Sequence, residues 1–93
     1  MIINNYMTTP ATHAAYMRSS GDSFKRYTDK RSAEMPIEAA AIEADLKANK
    51  IPEKSRAYMR QRVVDLRERA PLVKQMGIAF RDTFHASANR IEK

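Results

Sequence analysis

The chain reads as an all-α protein: an antiparallel helical hairpin with an additional N-terminal helix and a long C-terminal helix kinked at a proline. Three observations predict this. Glycine is scarce, with only Gly21 and Gly77, while Ala, Met and charged residues are abundant, a composition of good helix formers. Val and Ile almost never alternate with polar residues, so the period-two signature of a strand is missing. From Glu53 to about Asn89 the apolar residues return in steps of three and four, which is one face of a helix.

Residues 1–8 read as a flexible tail, and residues 9–93 as one helical domain. Thr9-Pro10 is a helix start, with Thr as the N-cap and Pro in the first turn. The spacing predicts a first helix from about Pro10 toward Ser20. Gly21 ends or weakens it, and Asp22-Ser23 caps a second piece to about Arg31. Met17, Phe24, Tyr27 and His13 share a face there. Ser32 to Pro36 reads as a break and a restart. Pro36 then opens a helix to about Asn49, in which Ala39, Ile42 and Leu46 stand on one face. Asn49-Lys50-Ile51-Pro52 is the clearest turn, with Asn49 as the C-cap and Pro52 suited to the next first turn.

The last helix is the strongest element. Met59, Val63, Leu66, Ala70, Val73, Gly77, Phe80 and Phe84 form a heptad seam. Pro71 removes the hydrogen bond to the carbonyl of Arg67 and crowds that turn, which predicts a kink rather than two unrelated helices, because the seam keeps its register.

Charge orients these elements. The 93 residues carry 17 Lys and Arg against 11 Asp and Glu, a net charge of +6. Residues 53–70 are basic and residues 34–49 acidic, and a short turn joins them. An antiparallel hairpin with the acidic helix along the basic one follows. Arg60, Arg67, Lys74 and Arg81 recur every seven residues on one flank of the seam, and Arg62 and Arg69 recur on the other, with Arg56 nearby. Such flanking positions select helical partners. Parallel self-pairing would set Arg against Arg, so an acidic helix is the better neighbour.

A chain this short buries only roughly 60–65% of its unfolded surface, and small domains commonly recruit an oligomer or partner in compensation. On these grounds a homo-oligomer is expected. With no cysteine, neither a disulfide nor a thiolate metal site can staple the fold. No segment approaches the roughly 20 apolar residues that span a bilayer. The first residues lack a basic and apolar leader pattern, so a soluble, cytoplasmic protein with no membrane association is the expectation.

No catalytic, cofactor-binding or metal-ligating constellation is legible. His13 and His85 lack ligands at metal spacing. Two isolated glycines cannot form a phosphate loop, and no serine sits in a nucleophile elbow. A non-enzymatic protein–protein interaction module is therefore expected, a regulator or inhibitor of the antirepressor-like type found in phages and plasmids. Its seam is Met59, Val63, Leu66, Val73, Met76, Phe80 and Phe84. Its basic flank is Arg56, Arg60, Arg62, Arg67, Arg69, Lys74 and Arg81. The alternative expectation is a basic helical nucleic-acid-binding protein, since a sequence pI near 9.9 and a clustered basic stripe meet the first electrostatic test. Against it, the Asn49–Pro52 turn lacks Gly, and aromatic residues do not interleave with the basic run.

Overall fold

The structure, a computed structural model, describes residues 9–92, so the expected tail at residues 1–8 lies outside the described residues. Two long helices account for nearly everything: α1 (Pro10–Lys47, 38 residues) and α2 (Glu53–Glu92, 40 residues). No strand occurs among the described residues. The helices pack against each other as a hairpin.

The separate N-terminal helix is the main correction. Neither Gly21 nor the Ser32–Pro36 stretch ends α1, which runs through both. A proline inside a helix removes one hydrogen bond and costs about 3 kcal/mol. Packing on either side of it offsets that cost: Met35 and Ala39 are both buried in the core. Pro71 likewise lies inside α2, on its exposed side, and the helix continues to Glu92. At roughly 1.5 Å per residue, both helices approach 60 Å.

The ends follow the local chemistry. The Thr12 N–H donates to Thr9 Oγ1 at 3.1 Å, so Thr9 caps α1. At the other end Asn49 adopts φ 61°, the left-handed conformation that Asn tolerates better than most residues. The Asn49 N–H donates to the Leu46 carbonyl at 3.2 Å, and the Lys50 N–H donates to the Asp45 carbonyl at 3.0 Å. This pair of bonds is a Schellman motif. Pro52 stands just before α2, and its carbonyl accepts from the Ser55 N–H at 2.9 Å.

The chain divides into two compact units, and each helix contributes to both. Unit 2, Asp29–Lys74, is the turn-bearing hairpin. Its core is Met35, Ala39, Val63, Leu66 and Ala70, with Ile42 and Val73 packed against it. Among the described residues, unit 1 joins α1 up to Thr28 with α2 from Gln75 onward. Its buried residues are small: Ala14, Gly21, Thr28, Gly77 and Ala88.

The two glycines explain that difference. A Cβ on Gly77 would lie 1.7 Å from Thr28 Oγ1 and 2.9 Å from Thr28 Cβ. A Cβ on Gly21 would lie 3.0 Å from Phe84 Cβ and 3.2 Å from Arg81 Cα. Within unit 1 the helices therefore approach closely, and glycine is what permits it. Thr28 is almost wholly buried, and its hydroxyl donates to the Lys25 carbonyl at 3.0 Å, which satisfies the polar group inside the contact.

Candidate functional site

The seam residues of α2 fall into different environments. In unit 2, Val63 and Leu66 are buried against α1, while Met59 and Val73 are half-buried. In unit 1, Phe84 is half-buried, but Met76 and Phe80 are 51% and 42% exposed. The close backbone approach has a consequence for these large side chains. With Gly and Thr filling the contact, aromatic rings cannot enter it and must lie along its side.

They assemble there into a cluster. The Phe80 ring lies 4.5 Å from Phe24 and 4.7 Å from Phe84, centroid to centroid, with interplanar angles of 39° and 35°. Tyr27 adds to it at 6.4 Å from Phe24 and is itself 65% exposed. These separations suit favourable aromatic contact. The pairing of Phe24 with Phe80 depends on α1 running unbroken through Gly21, where the sequence alone allows an end or a weak point.

Polar residues surround unit 1. Arg18 hydrogen-bonds to Asn89 at 2.8 Å and pairs with Glu92. His85 Nε2 lies 2.8 Å from Asp22 Oδ1. Arg81 pairs with its neighbour Asp82 at 3.0 Å. A histidine held by a carboxylate could support acid–base chemistry, but among the described residues no hydroxyl hydrogen-bonds to that imidazole.

In unit 2 the basic flank meets the acidic side of α1, as charge patterning predicted. Arg62 donates to Glu38 at 2.7 Å, and Arg31 reaches the same carboxylate at 3.4 Å. Arg67 grips Glu43 through two bonds of 2.9 and 2.5 Å, a bidentate pair. The Arg62 hydrogen bond lowers the Glu38 pKa below its ordinary value, with help from the charges of Arg62 and Arg31. The Arg67 hydrogen bond does the same for Glu43. Arg62 and Arg67 are reciprocally raised. Arg56 instead donates to the Ile51 carbonyl at 3.0 Å and ties α2 to the turn. Arg60, Arg69 and Lys74 make no hydrogen bond or ion pair among the described residues.

Two clefts open along unit 2. One, of about 150 Å³, lies over Met35 and Leu66 and is edged by Arg31, Tyr58, Arg62 and Arg69. The other, of about 220 Å³, is formed by Leu46, Val63 and Val64 with Arg60, Arg67 and Glu43. Both fall short of the roughly 300–1,000 Å³ typical of small-molecule and cofactor pockets. Among the described residues no group of three or more His, Cys, Asp or Glu side chains could hold a metal ion. No helix among them is long and apolar enough to cross a membrane. Arg31, Met35 and Tyr58 had escaped sequence reasoning. The 31, 35, 38 spacing is a helical face, but it straddles the stretch read as a break.

No protein-family model matches the chain, and no curated protein or solved structure shows a significant similarity to it.

Proposed function

We propose that this chain is a protein–protein interaction module without catalytic chemistry of its own, a regulator or inhibitor that works by laying its helices on a partner protein or a second copy of itself. The observation that carries this reading is the aromatic face of unit 1. Phe80 and Tyr27 remain 42% and 65% exposed in ring contact with Phe24 and Phe84, and Met76, one turn before Phe80 on α2, is 51% exposed. Covering apolar surface yields about 25 cal/mol per Å². Clustered aromatic and Met side chains at a protein surface are typical of interaction sites.

The thin core points the same way. Among the described residues no large apolar side chain is fully buried, and Thr28 is the largest that is. A hairpin of this kind gains from association, which also supports a homo-oligomer.

Nucleic-acid binding is the second reading. Net charge +6 and the unpaired Arg60, Arg69 and Lys74 favour it. It is the weaker one because Glu38 and Glu43 already engage Arg62 and Arg67.

The test is Tyr27→Asp with Met76→Asp, both at exposed positions, in light scattering and in partner capture. The expected result is loss of assembly or of captured partner, with unchanged helicity by circular dichroism. A monomeric wild type whose captured proteins are the same as the variant's would overturn the reading. A mobility shift of duplex DNA at low salt that fades at physiological salt would favour the second reading instead.

A further inference from the structure

The cleft over Met35 and Leu66 in unit 2 has the chemistry of a second, more selective docking site. Its α2 wall runs from Tyr58 through Arg62 and Leu66 to Arg69, steps of four, four and three, which is one continuous helical face of about three turns. Arg31 and Met35, one turn apart, form the α1 wall. The floor is apolar and buried, with Met35 at 6% and Leu66 at 3% exposure, while the Tyr58 ring stands 66% exposed at the rim. A volume of about 150 Å³ takes a bulky side chain rather than a cofactor.

The polar edge is cationic and has donors to spare. A guanidinium carries five N–H groups. Arg62 uses one toward Glu38, Arg31 directs one at the same carboxylate, and Arg69 uses none. The acid in the lining, Asp65, is engaged by Gln61 Nε2 at 2.9 Å. Three arginines thus border an apolar trough, with Asp65 in its lining and Glu38 held between two of them, while Arg69 is unpaired.

We propose that this cleft receives an amphipathic acidic helix of a partner protein. The helix sets an apolar side chain on Met35 and Leu66, rests on Tyr58, and turns its carboxylates toward Arg69, Arg62 and Arg31. Charge complementarity selects this occupant. A second copy has less to offer, since Glu38 and Glu43 of its acidic stretch already pair with its own Arg62 and Arg67. A nucleic-acid backbone would leave the Met35–Leu66 floor uncovered. The proposal rests on the interaction reading above and specifies the partner's chemistry for one surface.

The probe is a synthetic 18-residue helix with leucines along one face and glutamates beside them. A matched peptide carries glutamine at every glutamate. Each is titrated into the full-length protein and followed by backbone amide chemical shifts. The glutamate peptide should bind, with shifts centred on residues 31–35 and 58–69. The Arg69→Ala variant should bind about tenfold more weakly, the loss of one charge-assisted contact, and the glutamine peptide, which loses every such contact, should bind more weakly still. Lys54→Ala, an exposed cation outside this cleft, should leave affinity unchanged. Equal binding of the two peptides, indifference to Arg69→Ala, shifts centred on Tyr27 and Phe80, or no binding at millimolar peptide would each overturn the proposal. So would self-association that Arg69→Glu abolishes, which would assign the cleft to a second copy. If the peptide fails while Tyr27→Asp with Met76→Asp still disrupts assembly or capture, only the cleft proposal falls.

Discussion

In unit 2 the helices are joined by Met35, Ala39, Val63, Leu66 and Ala70, and two inter-helix ion pairs flank that core. In unit 1 they meet at Gly21, Thr28 and Gly77, so closely that an added methyl group would collide with Thr28 at Gly77 and would be crowded by Phe84 and Arg81 at Gly21. The aliphatic unit has room inside for Met35, Val63 and Leu66, although Ile37, Tyr58, Val64 and Leu72 of the same unit are exposed. The close-packed unit has no interior space for large side chains, so Phe24, Phe80 and Phe84 stack along its flank. Small seam residues therefore have two effects: they tighten the helix contact, and they leave aromatic surface exposed along its flank.

Four changes would break or sharpen this contrast. Leu66→Asp should be the most damaging. It places an unpaired carboxylate at a 3% exposed site and removes core volume, at a cost of about 3–5 kcal/mol. Thermal melting by circular dichroism should show loss of the cooperative transition. Gly77→Ala is next. Alanine favours helix by about 1 kcal/mol, yet displacing Thr28 costs about 1–3 kcal/mol, so a net loss in chemical denaturation is expected. Adding Thr28→Ala, which removes the nearest clashing atom, should recover part of it. A Gly77→Ala variant that is more stable than wild type would mean that the helices of unit 1 do not approach as described.

Asn49→Ala should lose about 1 kcal/mol, because alanine enters the left-handed region at greater cost. Asn49→Gly should match or slightly exceed wild type in the same urea titration. The smallest effect is electrostatic and confined to unit 2. Folding lowers the pKa of Glu38 and Glu43, so their contribution is complete above the ordinary value of 4.5 and disappears as pH falls through the lowered folded values. Melting temperature should decline on acidification through that window. The Glu38→Gln/Glu43→Gln double variant should show a shallower decline. An equal slope in both proteins would remove these two pairs as the cause.

Unit 2 was largely legible in the sequence. Leu66 and Val63 at heptad spacing, acidic residues at 38 and 43 facing arginines at 62 and 67, and Asn49 before a proline each carry a local signal. Unit 1 was not, because its signals are ambiguous without the partner helix. Gly21 has the same appearance as a helix terminator and as a contact point, and only Phe84 and Arg81, some 60 residues away in the sequence, decide between the two. Pro36 misled for a similar reason. Its intrinsic penalty is visible locally, whereas the compensating burial of Met35 and Ala39 depends on α2. The aromatic cluster inherits the same difficulty, since Phe24 reaches Phe80 only when α1 is unbroken at Gly21.

The contact between Thr28 and Gly77 is where this account is most exposed. A nuclear Overhauser measurement on the full-length protein, from the Thr28 methyl to the Gly77 α-protons, tests it directly. A strong cross-peak is expected, since the two residues are in van der Waals contact across the helices. Its absence, with Gly77 showing only contacts within its own helix, would contradict the close approach and the aromatic display that follows from it.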